Sequence, residues 1–322
     1  MGSIEDLLRS TNKGSYGSTP IRSSPSHNSA PGSTFIRPPR SSGLESVLFP
    51  GSSSRSPWRV AAVDARTSPF GRGKVLRLQI EQGIRCIAQS QLKVLKAIDV
   101  PSAGLVALGN EGKLLSAAFL VVDVRRSSDI VETHWLETAA KTMKLFLTAM
   151  TKICRHNHGE IRSFNGDSIL SVFPHRSLPP RTPAGGAVAC GNAVRAAMQM
   201  KHCVLSMIRP VLGIRIDFGV GIDFGEVLVV CAGIRGRDNN DLVWVGRAPN
   251  RATKLADQGR EPNHVFISDD VYRLLPPDMW SLDGRNPSWV SLPFNYAGQK
   301  SQAVTTRWAL DFTGVPVRPI DS

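Results

Sequence analysis

Long apolar runs, paired cysteines and blocks of like charge are all missing from this chain of 322 residues. The longest apolar stretch, Leu114 to Val122, is broken by Ser116 and falls well short of the roughly 20 residues that span a bilayer. The first residues lack the apolar core of a secretory signal. The 5 cysteines (Cys86, Cys154, Cys190, Cys203 and Cys231) stand singly with no Cys-x-x-Cys pair. They read as free thiols in a reducing compartment, not as a disulfide or zinc framework. A cytoplasmic location is the expectation. No repeat of fixed period is present either, which excludes solenoids and propellers.

What is present is an ordinary globular composition, 41% hydrophobic and 20% charged, with a net charge of +13. Basic chains bind nucleic acid, anionic membrane surfaces or polyphosphates, or simply carry a solvated basic surface. Residues 1–60 are rich in Ser, Gly, Pro and Arg, and bury too little apolar surface to offset their ordering entropy, so a disordered tail is expected there. Residues 61–112 read as an amphipathic helix from Lys74 to Ile98, which packs on the core or on a sister subunit, followed by a Pro/Gly-bearing connector.

The main domain spans residues 113–312. It opens with a run apolar on both faces that ends at Asp123, as a central strand requires. A long helix follows, with Leu136, Ala139, Met143, Phe146, Met150 and Ile153 on one stripe. Strands over 160–164 and 168–173 flank Asn165-Gly166, a strong hairpin signal. A second helix from Ala184 to Met207 precedes strands over 214–222, 226–232 and 241–245; loops and a closing strand over 304–312 complete the domain. The order strand, helix, two strands, helix, two strands is that of an α+β ferredoxin-like palm, an antiparallel sheet with helices on one face.

Two carboxylates lie where ionised groups are costly. Asp123 ends an apolar strand and Asp167 sits at a hairpin tip. A partly buried acid must be hydrogen-bonded, paired or metal-bound. If their strands are neighbours, both acids project from one sheet edge, a geometry suited to two divalent ions about 3.5–4 Å apart. Asn-Gly-Asp is also ordinary turn chemistry, so the turn alone decides nothing. Ser127 and Ser128 follow Asp123 at a strand-to-helix turn, where they suit helix capping and where backbone N–H groups bind phosphate. Gly219, Gly221 and Gly225 lie in a strand pair and fit close backbone approach.

Four blocks in order carry a resemblance: Asp123 in Phe-Leu-Val-Val-Asp-Val-Arg-Arg-Ser-Ser, Gly166-Asp167, Gly219-Val-Gly-Ile-Asp-Phe-Gly-Glu-Val, and Val245-Gly-Arg-Ala-Pro-Asn-Arg-Ala-Thr-Lys-Leu255. Together they resemble the class III nucleotide cyclases over residues 114–275. The resemblance implies that Asp123 and Asp167, with the backbone carbonyl of Val124, bind two Mg²⁺ or Mn²⁺ ions per site. It implies that Asn250 orients the ribose and that Lys254 stands where the family usually has Arg, keeping the charge without the bidentate fork. The family's site is built across a head-to-tail homodimer, so the resemblance implies that a lone monomer is inactive. The adenine-reading positions of the family hold Ser163 and Val243 here, neither of them charged. Trp244 beside Val243 either narrows the base pocket or packs in the core, and Arg162 is a candidate reader of a pyrimidine oxygen.

The wording of these blocks resembles the branch that includes the pyrimidine cyclases of bacterial Pycsar anti-phage systems. That implies cyclic UMP, with cyclic CMP as the alternative, made from the nucleoside triphosphate on infection and read by a separate cyclic-nucleotide-sensing effector. A purine cyclase of the same class and a catalytically dead regulatory domain remain open as other readings. A diguanylate-type cyclase requires a Gly-Gly-(Asp/Glu)-Glu-Phe hairpin, and none occurs. Direct nucleic-acid binding is not expected, because the first strand offers Phe119 alone as a stacking aromatic.

Overall fold

The computed structural model describes residues 69–318 apart from 103, 105, 176–182 and 237–238; the Ser/Pro/Arg-rich tail and most of the Pro174–Pro183 loop lie outside the described residues. The sheet is organised around β2 (Glu111–Arg125), whose apolar run from Ala117 to Val122 is buried on both sides. Antiparallel partners flank it: β4 (Ser168–Pro174) on one edge and the 17-residue β5 (Asp217–Gly233) on the other. With β3 (Glu160–Asn165), β7 (Val265–Ser268), β8 (Val290–Tyr296) and β9 (Gln299–Thr306), the order is β3-β4-β2-β5-β7-β9-β8. Two strands lie off this path: β1 (Lys93–Lys96) on β2, and β6 (Asn240–Val245) on β5. β10 (Ala309–Leu310) and β11 (Pro316–Val317) form a small separate pair.

Because side chains alternate along a strand, β2 feeds two cores. Ala118, Leu120, Val122 and Val124 pack with Phe146, Met150 and Ile153 of one long helix (Leu136–His156) and with Ala193, Ala197 and Met200 of another (Pro183–Cys203). Leu115, Ala117, Phe119 and Val121 pack on the opposite face against Ala248, Ala252 and Ala256 of the helix Arg247–Ala256. Helices therefore cover both faces of the sheet, not one. In chain order they are α1 (Pro69–Gln89), α2 (Ser127–Thr133), α3 (Leu136–His156), α4 (Pro183–Cys203), α5 (Arg209–Leu212), α6 (Arg247–Ala256) and α7 (Asp269–Leu274). Phe119, Phe146, Phe173 and Phe218 are fully buried, each contributing about 1.5–3 kcal/mol.

Some boundaries differ from those expected. The helix expected to run to Ile98 stops at Gln89, where Ser90 Oγ donates to the Ile87 carbonyl at 3.1 Å, and Val94 and Leu95 join β1 beside the start of β2. Of its apolar residues Leu76, Leu78, Ile80, Ile84 and Ile87 are exposed. The two strands expected over 214–232 are one, because β2 runs opposite throughout and Gly225 pairs with Ala117 without interruption. The region expected as loops holds the β8–β9 hairpin, turned at Ala297-Gly298 with both residues at positive φ. The expected closing strand over 304–312 ends at Thr306 in β9.

The glycines of β5 do allow close approach. A Cβ on Gly221 would lie 2.0 Å from the Ala252 carbonyl oxygen, and one on Gly219 would lie 2.2 Å from that of Ala256. α6 thus rests on the strand by backbone contact. Gly221→Ala is expected to destabilise the fold by about 1–3 kcal/mol or more, since the obstacle is backbone that cannot rotate away. Urea denaturation checks this; an unchanged midpoint would show that α6 can lift at no cost.

Candidate active site

The register of β2 against β4 places Asp123 opposite Ser168, the residue after Asp167, while the β3–β4 turn is made by Gly166 at φ 64. On its other side Asp123 pairs with Gly219, beneath α6. The two acids are therefore brought to one edge of the sheet. Asp123 retains a side-chain exposure of 26%. Burial pushes its carboxyl above the ordinary aspartate range; the negative charge of Asp167 pushes it further, Arg125 partly offsets this, and Asp257 adds to it. A site that penalises its own ionisation in this way fits a divalent cation, which removes both penalties. Asp123 and Asp167 fit as carboxylate ligands with the main-chain oxygen of Val124 beside them. Among the described residues no group of three or more His, Cys, Asp and Glu could hold a metal, so further oxygens must come from backbone, water or substrate.

Asn250 and Lys254 lie one turn apart on the exposed face of α6, whose other side (Ala248, Ala252, Leu255, Ala256) is buried. Lys254 Nζ pairs with Asp257 Oδ2 at 3.0 Å. The buried Arg251 secures the helix: Nη1 lies 3.1 Å from Asp270 Oδ2, Nη2 donates to Ser301 Oγ at 2.6 Å, and Asp223 Oδ1 lies 3.8 Å from Nη1. Asp223 is fully buried and burial raises its carboxyl. Sequence reasoning missed this anchor and also missed Arg125, which lies beside Asp123 at 3.4 Å. The signal was available, since a residue two positions on shares the same strand face.

The remaining positions stand as follows. Neither Ser127 nor Ser128 caps α2. The cap is Arg126, at φ 49 with no side-chain cap bond, and the serines occupy the first helical turn. Arg162 sits at a β-bulge between β3 and β4; its Nη1 donates to the Pro101 carbonyl and its Nη2 pairs with Glu160, both at 3.0 Å. The Ser163 hydroxyl accepts from Asn165 Nδ2 at 3.3 Å. Trp244 packs edge-on against Phe119, ring centroids 6.0 Å apart, whereas Val243 on the other face of β6 is 43% exposed. Arg162 and Ser163 on β3 are separated from Val243 and Trp244 on β6 by β4, β2 and β5. One subunit does not bring the four together.

This fold, with its acids at the β2 edge, is that of a class III nucleotide cyclase catalytic domain. A solved class III adenylyl cyclase-like ATP-binding protein from Pseudomonas aeruginosa superposes with a TM-score of 0.50 at 14% identity, over 61% of this chain and 42% of that one. Two curated uridylate cyclases align over most of their own length. The one from Burkholderia cepacia is 31% identical over 208 residues, 62% of this chain and 84% of that protein. The one from Rhodovulum sp. (strain MB263) is 29% identical over 211 residues, 62% of this chain and 82% of that protein. The chain belongs to the uridylate cyclase family. No protein-family model matches it. Among the described residues no helix is long and apolar enough to cross a membrane.

The raised Asp123 carboxyl sets a sign for stability. The folded state holds that proton to higher pH than the unfolded chain, so metal-free stability falls as pH rises through the carboxylate range. Asp123→Asn removes this penalty and is expected to raise the metal-free melting temperature at neutral pH, while abolishing any further rise on adding Mn²⁺. Differential scanning calorimetry with and without the ion reads both effects; a lower metal-free melting temperature would mean that the ionised acid stabilises the fold.

Proposed function

We propose that this chain is a uridylate cyclase, converting UTP to 3′,5′-cyclic UMP and pyrophosphate. The observation that carries the reading is the register of β2 on β4, which sets Asp123 beside Asp167 at one edge, in a chain whose curated relatives include uridylate cyclases. Asp123, Asp167 and the main-chain oxygen of Val124 would hold two Mg²⁺ or Mn²⁺ ions. Such ions, when bound, lower the pKa of the ribose 3′-hydroxyl and neutralise the triphosphate and the departing pyrophosphate. The chain's own groups do the rest. Asn250 orients the ribose so that O3′ lies in line with the α-phosphorus. Lys254 supplies a fixed positive charge where negative charge develops on the phosphoryl oxygens. Ser127 and Ser128 lie beside the triphosphate.

In this reading the protein works as a head-to-tail homodimer. Asn250 and Lys254 on α6 serve the carboxylates of the partner, and Val243 and Trp244 on β6 meet Arg162 and Ser163 of the other subunit around the base. An uncharged pair, Ser163 and Val243, leaves the purine-reading positions without charge and suits a pyrimidine. Within this reading the product is a diffusible signal of an antiviral defence system, sensed by a separate effector protein. CTP is the second candidate substrate.

The test incubates purified protein with each of the four ribonucleoside triphosphates and Mn²⁺, and identifies products by mass spectrometry. Cyclic UMP is expected to dominate; cyclic AMP as the main product would sink the pyrimidine reading. Asp123→Ala and Lys254→Ala are each expected to be impaired, the latter by about 10²–10³-fold. Mixing the two inactive variants should restore activity, because some mixed dimers hold one intact site. No recovery on mixing would overturn the shared site.

A further inference from the structure

Arg125 is a side chain to which neither the fold nor the proposed chemistry has given a task, and its surroundings are unusual. It follows Asp123 by two residues on the same strand face, and Nη1 lies 3.4 Å from Asp123 Oδ2. The same nitrogen lies 3.9 Å from Asp257 Oδ1, just past the end of α6. Nη2 donates to the main-chain carbonyl of Ala256, the last residue of that helix. Nε is buried and has no hydrogen-bond partner among the described residues. Asp257 is held in turn by Lys254 at 3.0 Å. The space for this guanidinium exists because residue 219 is glycine: a Cβ there would lie 2.8 Å from Nη2. An unbroken line of charged groups thus runs from Asp123 through Arg125 and Asp257 to Lys254.

We propose that Arg125 is a positioning residue that acts as the resident counter-cation of Asp123, competing with the divalent ion for that carboxylate and tying it to the C-terminal end of α6. The proposal rests on the reading of Asp123 as a metal ligand. A guanidinium beside the carboxylate partly offsets its charge while no ion is bound, and every divalent cation that binds must share or displace that contact. Asp257 acts in the opposite sense. It draws Arg125 away from Asp123 and adds negative potential of its own. The bond from Nη2 to the Ala256 carbonyl, which also accepts from the Gly259 N–H at 2.9 Å, keeps the guanidinium within reach at the negative end of the helix. Metal occupancy and the seating of α6 are then coupled inside one subunit. In the proposed dimer that means coupling between its two sites, because Asp123 serves one and Lys254 the other.

The experiment measures Mn²⁺ binding alone, without nucleotide, by electron paramagnetic resonance of the free ion with the full chain. Arg125→Gln is expected to tighten binding about five-fold, the order of a water-screened interaction between one guanidinium charge and the ion. Asp257→Asn is expected to weaken it by a similar factor. Arg125→Lys, which keeps the charge but loses the fork, should leave affinity near that of the unsubstituted chain while lowering the melting temperature. Simple structural damage would weaken binding in every variant. The proposal is overturned if the unsubstituted chain binds Mn²⁺ and Arg125→Gln binds no more tightly. Failure of the underlying reading looks different: binding by the unsubstituted chain would then be absent, or unaffected by Asp123→Asn, and the proposal would fall with it.

Discussion

The register of β2 against its two neighbours is the constraint on which the rest depends. Asp123 faces Ser168 on one side and Gly219 on the other. A slip of one residue would turn it into the core that holds Val122 and Val124, and would carry Phe119 out of its packing with Trp244. The apolar residues on both faces of the strand make that slip expensive, so the hydrophobic cores specify where the carboxylate stands. Asp123 is expensive to ionise where it stands; the fold accepts that cost because burial elsewhere is large.

The central elements were legible because their signals are local. The apolar run of β2, the Asn165-Gly166 turn and the 3.6-residue stripe of α3 each state a conformation within a few residues. The spacing of the two acids along the chain said nothing of their proximity, and four ordered blocks supplied it only through resemblance. Less legible were features decided by partners distant in sequence. β1 forms because the start of β2 offers it an edge, and β5 stays unbroken through Gly225 because β2 continues opposite. The β8–β9 turn at Ala297-Gly298 lacks the Asn-Gly signature and was passed over. The placement of α6 on the far face from α3 and α4 depended on where the glycines of β5 point.

The candidate site divides in the same way. Carboxylates and glycines announce themselves by type, whereas the surroundings that tune them do not. Arg125 reads in sequence as one of two adjacent basic residues, and only the strand alternation separates it from Arg126, which caps α2 in a left-handed conformation. Arg251 reads as a surface arginine on a polar helix, yet it is buried between Asp270, Ser301 and Asp223. Trp244 was open between pocket and core, and its edge-on packing with Phe119 places it in the second core.

A helix seated on a strand through glycines has no cushion of side chains beneath it. Side-chain layers absorb small displacements by changing rotamer, and backbone against backbone cannot. α6 and β5 should therefore behave mechanically as a single stiff plate, fraying and melting together instead of in sequence. The β6 strand, which pairs with β5 outside the main run of strands, is not part of that plate.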